Sequence, residues 1–375
     1  MSRLDPAVWK GRRVLLTGHT GFKGAWMLLL LQRLGAQVSG LSLAPGTEPN
    51  LFDLLAPWPG LQHHVCDIRD RAAVGAAVHL LQPQIVIHMA AQALVREAYA
   101  EPLQTVATNV MGTVHLLEHL RSIPTLSAVL VVTSDKVYEN REAGIDFTEE
   151  APLGGHDPYS ASKAAAEILT ASYRRSFFAG RGVALVTARA GNVMGGGDWA
   201  RDRLIPDLWR AFSGGKPVFL RNPASVRPWQ HVLDPLHGYL LFLQHCLNAP
   251  DTAPAALNFA PSREPVRTVL EVAERFAAPL GKQDLWTTDG ASAALHESRF
   301  LSIDSSCAAQ VLGWRAILGV DEAITWSADW YQACHAGQDM RAFSLRQIDE
   351  FAVRTGTVSA LPAEAAQLAK AGVAR

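Results

Sequence analysis

A chain of 375 residues with 49% hydrophobic and 18% charged side chains, 29 Gly and 21 Pro, can build a sizeable core; disorder and a collagen-like repeat are excluded as its main state. Its length fits about two units of ~150 residues, or one large unit with a lobe attached. With 34 basic and 35 acidic side chains the net charge is −1, which supplies no field to hold nucleic acid or anionic lipid.

From the N-terminus, Met1 to Gly11 lacks the apolar core of a signal peptide. The longest apolar run, Ala25 to Leu31, is far short of the ~20 residues that a bilayer span needs, so a cytoplasmic protein is expected. Short apolar runs at Arg13–Thr17, Gln37–Leu43, His64–Ile68, Ile85–Ala90, Ala128–Ser134 and Val183–Ala190 predict strands buried on both faces. Between them, Phe22–Leu34, Asp70–Leu81, Pro102–Leu120 and Pro158–Phe178 carry apolar residues at helical spacing, with Asp70 and Asp157 as N-caps. The alternation predicts an α/β fold, a Rossmann-type doubly wound parallel sheet.

After Ala190 the alternation loosens around Gly195-Gly196-Gly197, with short strands at Pro217–Leu220 and Ala256–Ala260. A smaller mixed C-terminal substrate lobe follows from this. The expected division is a Rossmann domain over 1–190, to which 231–262 returns, and a lobe over 191–230 and 263–350. Residues 351–375, Ala-rich from Thr355, form either a surface helix or a frayed tail. The lobe would sit over the carboxyl ends of the strands, where open α/β sheets bind ligands. Cys66, Cys246, Cys307 and Cys334 lack C-x-x-C spacing and read as reduced, buried residues, with no metal site.

Thr17-Gly18-His19-Thr20-Gly21-Phe22-Lys23-Gly24 follows a strand and opens a helix, the context of a dinucleotide loop. The glycines fall at intervals of three and three instead of two and three. After the second strand, Val38 to Thr47 offers Ser39, Ser42 and Thr47 but neither a carboxylate nor an Arg for a ribose 2′ position. NAD is favoured over NADP. Asp67, after the third strand, is either an adenine contact or an exposed strand-end residue.

Tyr159 and Lys163 stand at i and i+4 near the start of a predicted helix, so both project from one face. An ammonium beside a phenol lowers the phenol's pKa, which would make Tyr159 a general base and leave Lys163 to anchor a nicotinamide ribose. Ser134-Asp135-Lys136 ends the fifth strand. On spacing alone Asp135 and Lys136 read as a solvated ion pair; if both enter the cleft, they form a further acid and base.

With T-G-x-x-G-x-x-G, Asp67, Ala90-Ala91, Asn109 in Asn109-Val110-Met111-Gly112-Thr113, Ser134 and Tyr159/Lys163, the chain resembles the extended short-chain dehydrogenase/reductase superfamily from about Arg12 to Trp330. More narrowly it resembles the nucleotide-sugar 4,6-dehydratases, which carry Asp at the place of Asp135. Asp135-Lys136, where the thymidine- and GDP-linked enzymes have Asp-Glu, points to the branch that acts on CDP-linked glucose. Other matching segments are Gly21-Phe22-Lys23-Gly24, Pro49-Asn50-Leu51-Phe52, Gly195-Gly196-Gly197-Asp198-Trp199-Ala200 and Arg227-Pro228-Trp229-Gln230-His231. Ala93, where the family usually shows Pro, and Met194, in place of a common Ile, depart from the pattern.

The resemblance implies a cofactor site of Thr17, Gly18, Gly21, Phe22, Gly24, Asp67, Ile68, Ala90, Ala91, Asn109, Tyr159 and Lys163 for NAD. It implies catalysis by Ser134, Asp135, Lys136, Tyr159 and Lys163: oxidation at C4, elimination of water across C5 and C6, and hydride return to C6. Lys136 aligns with the Glu that takes the C5 proton in related enzymes, a role that requires a neutral amine. Asn192, Arg201, Arg203, Arg227 and His231 are the candidates for gripping a nucleotide-sugar diphosphate. Trp199 and Trp229 read as lobe packing rather than base stacking, and His63, His64, His88, His115 and His119 as structural. A homodimer or homotetramer through Pro102–Leu120 and Pro158–Phe178 is implied as well. A 4-epimerase or reductase of the same superfamily is the alternative enzyme, and a cofactor-sensing binding protein the alternative of another class.

Overall fold

Alternation within the strands decides the layering. In the computed structural model, which describes residues 3–142, 144–261, 267–281, 285–288 and 301–357, eleven strands occur. They are β1 (Arg13–Thr17), β2 (Gln37–Ser42), β3 (Gln62–Val65), β4 (Ile85–His88), β5 (Ala128–Val132), β6 (Ala184–Ala190), β7 (Val193–Met194), β8 (Val218–Phe219), β9 (Gln230–His231), β10 (Ala256–Phe259) and β11 (Trp286–Thr287). Seven of them form a sheet in the order β10-β6-β5-β4-β1-β2-β3, with every neighbouring pair parallel. Val14 and Leu16 of β1, Ile85 and Ile87 of β4, and Leu130 of β5 enter one apolar layer; Leu15, Val86, Val129 and Val131 enter the other. Burial on both faces is what a parallel sheet with helical crossovers requires.

The first layer is closed by helices Phe22–Arg33 and Leu233–Asn248, the second by Arg71–Leu81 and Gly112–Leu120. Asp70 and Asp157 cap their helices as expected, accepting from Ala73 N and Ser160 N. The strand order reverses between β1 and β4, which opens a crevice at their carboxyl ends. The first layer continues without a break into Trp209, Leu220, Phe276, Trp330 and Tyr331. There β7 pairs with β9 and β8 with β11 as two short parallel ladders. Trp26 Nε1 donates to Gly196 O at 3.0 Å, and Gly196 lies so close under Trp330 that a Cβ would meet its ring at 1.9 Å.

Several boundaries differ from the sequence reading, each for a physical reason. β3 is the sheet edge and ends at Val65, 66% exposed, so Asp67 and Ile68 lie in the loop beyond it. The segment expected as one helix over Pro102–Leu120 is Pro102–Val106, a π-helical turn Ala107–Met111, and Gly112–Leu120. Likewise helix Pro158–Tyr173 passes into a π-helical turn at Arg174–Phe178. All four cysteines are free, but only Cys246 is buried. Cys66 sits in the loop after the edge strand, while Cys307 and Cys334 occupy end turns of helices Ser306–Leu312 and Val320–His335. The tail expected from Thr355 lies beyond 357 outside the described residues, after helix Met340–Arg354. No helix among the described residues is long and apolar enough to cross a membrane.

Gly24 packs its helix onto the loop before it: a Cβ there would stand 2.0 Å from Gly18 O and 2.7 Å from His19 Cα. Backbone cannot yield as a flexible side chain can, so Gly24→Ala is expected to cost about 1–3 kcal/mol of stability. Chemical denaturation with the midpoint and slope both fitted checks this, and a wild-type midpoint would refute it.

Candidate active site

The glycine loop is shaped by close backbone approach. Gly18 has φ +76°, and a Cβ on it would stand 2.7 Å from Ala90 N, so the turn after β1 and the turn after β4 touch. Gly21 is the N-cap of helix Phe22–Arg33 and supplies no side-chain cap. The first-turn N–H groups therefore lack intrahelical acceptors and lie at the positive end of the helix dipole, as a diphosphate requires. Thr17 lies beneath: its hydroxyl accepts from Met89 N and Ala90 N, both at 3.1 Å, and so donates to His88 Nδ1 at 2.7 Å. His88 Nε2 then donates to Thr113 Oγ1 at 2.9 Å, and burial lowers the ring's pKa to about 3, so it is neutral.

Most of the predicted cofactor residues line one cavity of about 690 Å³: Gly18, Gly21, Phe22, Gly24, Asp67, Ile68, Ala90, Ala91, Tyr159 and Lys163. These side chains and the open helix terminus fit a dinucleotide. Thr17 and Asn109 do not line it. Asn109 is buried in the π-helical turn, where Oδ1 accepts from Gln92 N at 2.8 Å and Nδ2 donates to Gln92 O at 3.0 Å and Ser162 Oγ at 2.8 Å. Its place is behind the cavity wall. Asp67 holds Arg69 in a fork whose shortest contact is 2.6 Å, and this hydrogen bonding holds its carboxyl below the usual range.

Ser134, Asp135 and Lys136 line the same cavity as Tyr159 and Lys163. β5 ends at Val132, and Ser134 caps the 3₁₀ turn Asp135–Val137 by accepting from Lys136 N at 3.2 Å. Its hydroxyl donates to Asp135 Oδ1 at 2.9 Å. Asp135 is 2% exposed, and burial pushes its carboxyl up against the pull of Lys136, Ser134 and Arg227. A carboxyl that keeps its proton more readily is suited to act as an acid. Solvated ion pairing is not the state of Asp135.

Tyr159 departs from expectation. Burial pushes its phenol up to about 12, with hydrogen bonding to Ser134 and the charge of Arg203 opposing. Lys163 Nζ donates instead to Val132 O at 3.2 Å; burial lowers its pKa to about 8 and the charge of Glu167 raises it. The i, i+4 spacing put both residues on one helix face but did not aim the ammonium at the phenol.

Of the substrate candidates, Asn192, Arg203 and Arg227 line the cavity. Arg203 pairs with Asp198 at 2.9 Å. Arg201 is exposed and does not line it. His231 is fully buried, with its ring edge-on to Trp26 and Trp326 and its Nδ1 accepting from Leu233 N at 3.3 Å. Its placement on β9 turns it into the core, and it is corrected to a packing residue. Two residues were missed. Lys23 lines the cavity, donates to Tyr239 OH at 3.1 Å, and is lowered to about 7 by burial and then by the charges of Lys163 and Arg203. A lysine inside the glycine loop was the available signal for it; Tyr239, 216 residues away, gave none.

Comparison with known proteins bears on this site. The family described as GDP-mannose 4,6 dehydratase matches residues 15–326. A CDP-glucose 4,6-dehydratase of Salmonella typhimurium is 42% identical over 353 residues, covering 93% of this chain and 98% of that protein. A dTDP-glucose 4,6-dehydratase of Xanthomonas campestris pv. campestris is 27% identical over 341 residues, covering 84% and 92%. Among solved structures, a dTDP-glucose 4,6-dehydratase from Bacillus anthracis in complex with NAD is similar in fold, with a TM-score of 0.69 at 22% identity, covering 88% of this chain and 99% of that one.

Proposed function

Because the chain belongs to the GDP-mannose 4,6 dehydratase family, we propose that it converts CDP-D-glucose to CDP-4-dehydro-6-deoxy-D-glucose and water, with NAD as its cofactor. The observation that carries this reading is the buried Asp135, its carboxyl pushed up, set in the same cavity as Tyr159 and Lys163. Simple oxidation or epimerisation has no use for such an acid; loss of a hydroxyl as water does. The cavity would hold the cofactor's diphosphate at Gly18, Gly21 and Gly24 and its nicotinamide ribose at Tyr159 and Lys163. NAD, when bound, would supply two-electron oxidising power at C4 and the matching reducing power at C6, so none would be consumed.

Tyr159 takes the O4 proton as its phenolate, a form that burial disfavours and that Ser134 and the charge of Arg203 favour. The C4 ketone so formed acidifies the C5 proton, which Lys136 removes and hands back to C5 when C6 is reduced, while the proton gained by Tyr159 balances the one that Asp135 gives up. Asp135 protonates the departing C6 hydroxyl, which leaves as water. Asn192, Arg203 and Arg227 grip the nucleotide diphosphate, the arginines by charge-assisted donation. Residues 191–230 and 263–350 serve as the substrate lobe over a Rossmann domain of 1–190 and 231–262. The protein works in the cytoplasm.

The exposed apolar side chains Leu103, Val106, Met111 and Ile168, between 44% and 85% exposed, fall on segments flanking the active-site helix Pro158–Tyr173 or on it. Such a patch on a folded chain marks a covered surface, and a second copy of this chain is the proposed cover.

Incubation with CDP-glucose and a catalytic amount of NAD is expected to give a product lighter by one water, with NAD unconsumed. A C4 epimer of unchanged mass would instead establish the epimerase alternative. Asp135→Asn is expected to lower kcat by about 10²-fold or more with little change in KM. Wild-type turnover in that variant would remove Asp135 from the mechanism. Ile168→Arg combined with Leu103→Asp is expected to yield monomers in sedimentation velocity, and an unchanged sedimentation coefficient would refute the dimer surface.

A further inference from the structure

One turn beyond Lys163 on the same helix, Glu167 has a side chain only 3% exposed. Four donors fill its carboxylate. Oε1 accepts from Thr133 Oγ1 at 2.5 Å and Arg189 Nε at 2.9 Å; Oε2 accepts from Thr187 Oγ1 and Arg189 Nη2, both at 2.8 Å. Arg189, 5% exposed, extends the network: Nη1 donates to Tyr138 OH at 2.8 Å and Glu149 O at 3.1 Å. Tyr138 OH donates in turn to Asn258 Oδ1 at 2.7 Å.

Thr133 immediately precedes Ser134-Asp135-Lys136, and Tyr138 follows the 3₁₀ turn that carries them. Both flanks of the turn are therefore tied to a single buried ion pair, one through Glu167 and the other through Arg189. A buried pair of this kind costs desolvation that apolar packing would avoid, so it makes a weak stabiliser but a specific one. The same carboxylate lies at i+4 from Lys163. Lys163 otherwise faces the ammonium of Lys23 from helix Phe22–Arg33 and the neutral ring of His88 from β4. Glu167 is the group that opposes burial there.

We propose that Glu167 is a positioning residue for the reaction: with Arg189 it fixes the Ser134–Lys136 turn at both flanks, and it sets a negative charge one helical turn from Lys163. This rests on the dehydratase reading, since turnover is its main readout. Lys163 loses its charge as pH rises through its pKa of about 8. Removing the Glu167 charge lowers that pKa, so the loss begins at a lower pH.

The test compares wild type, Glu167→Gln and Glu167→Asp as NAD-loaded enzymes on CDP-glucose, from neutral to alkaline pH. NAD binding is followed separately by tryptophan fluorescence. Glu167→Gln is expected to lower kcat about tenfold or more, with KM within about twofold. It should also move the alkaline limb of both kcat and NAD binding down by about one pH unit. Glu167→Asp, which keeps the charge, should leave the limb in place. A folded Glu167→Gln enzyme with wild-type kcat and an unmoved limb overturns the proposal. Should that variant fail to fold because Arg189 is left unpaired, Thr133→Val and Tyr138→Phe each cut one tie and keep the ion pair. Each is then expected to lower kcat about fivefold at constant KM, the loss of one ordinary hydrogen bond. Wild-type kcat in both overturns the proposal equally. If wild type itself does not turn over CDP-glucose, the dehydratase reading fails, and the limb of NAD binding still decides the case of Glu167.

Discussion

Withdrawal from water is the largest influence on four ionisable groups at the carboxyl edge of this sheet. Burial pushes Tyr159 and Asp135 up and Lys163 and Lys23 down, in each case toward the uncharged form. The effect brings the Asp135 carboxyl and the Lys163 and Lys23 amines closer together in proton affinity than they are in water. A crevice with this property can pass a proton in either direction at modest cost, which a sequence of oxidation, elimination and reduction needs. The rest of the structure supplies the dryness: apolar layers on both faces of the sheet, and a third set of aromatic residues beyond the crevice.

Dryness has a cost that the structure meets with paired polar groups. The chain Thr17–His88–Thr113, the Asn109 carboxamide spanning Gln92 and Ser162, and the Glu167–Arg189 pair are each supplied with partners on all sides. Each stands behind a wall residue rather than in the crevice. The π-helical turn at Ala107–Met111 belongs to this pattern, for it carries Asn109. Groups of this kind hold geometry where apolar packing alone, being indifferent to direction, would allow slip.

Much of this was legible from the residues in order. Most strand positions followed from apolar runs, because inner strands of a parallel sheet are buried on both faces; the edge strand β3, polar and largely exposed, carries little of that signal. The glycine loop followed from Gly18, Gly21 and Gly24, since backbone contact leaves no room for a Cβ at Gly18 and Gly24. What failed were inferences about where a side chain points. Arg201 and Arg203 are two residues apart, yet only Arg203 reaches the cavity; His231 stands beside Gln230 on β9 and turns into the core. Tyr159 and Lys163 share a helix face, but the direction of the ammonium depends on the Val132 carbonyl from another element. Partners such as Tyr239 for Lys23 and Arg189 for Glu167 are fixed by the fold, and nothing in local spacing announces them.

The seam between Trp26 and the Gly195–Gly197 turn bears on how such a chain can change by inheritance. Trp26 belongs to the helix that opens the nucleotide crevice, while Gly196, to which it donates, lies pressed beneath Trp330 of helix Val320–His335. Three distant stretches of chain meet there in direct contact. An exchange of the C-terminal portion with that of a relative would have to carry this seam intact on both sides. Preference for one sugar nucleotide over another is thus expected to drift by single replacements along the crevice, and not by the transfer of a ready-made module.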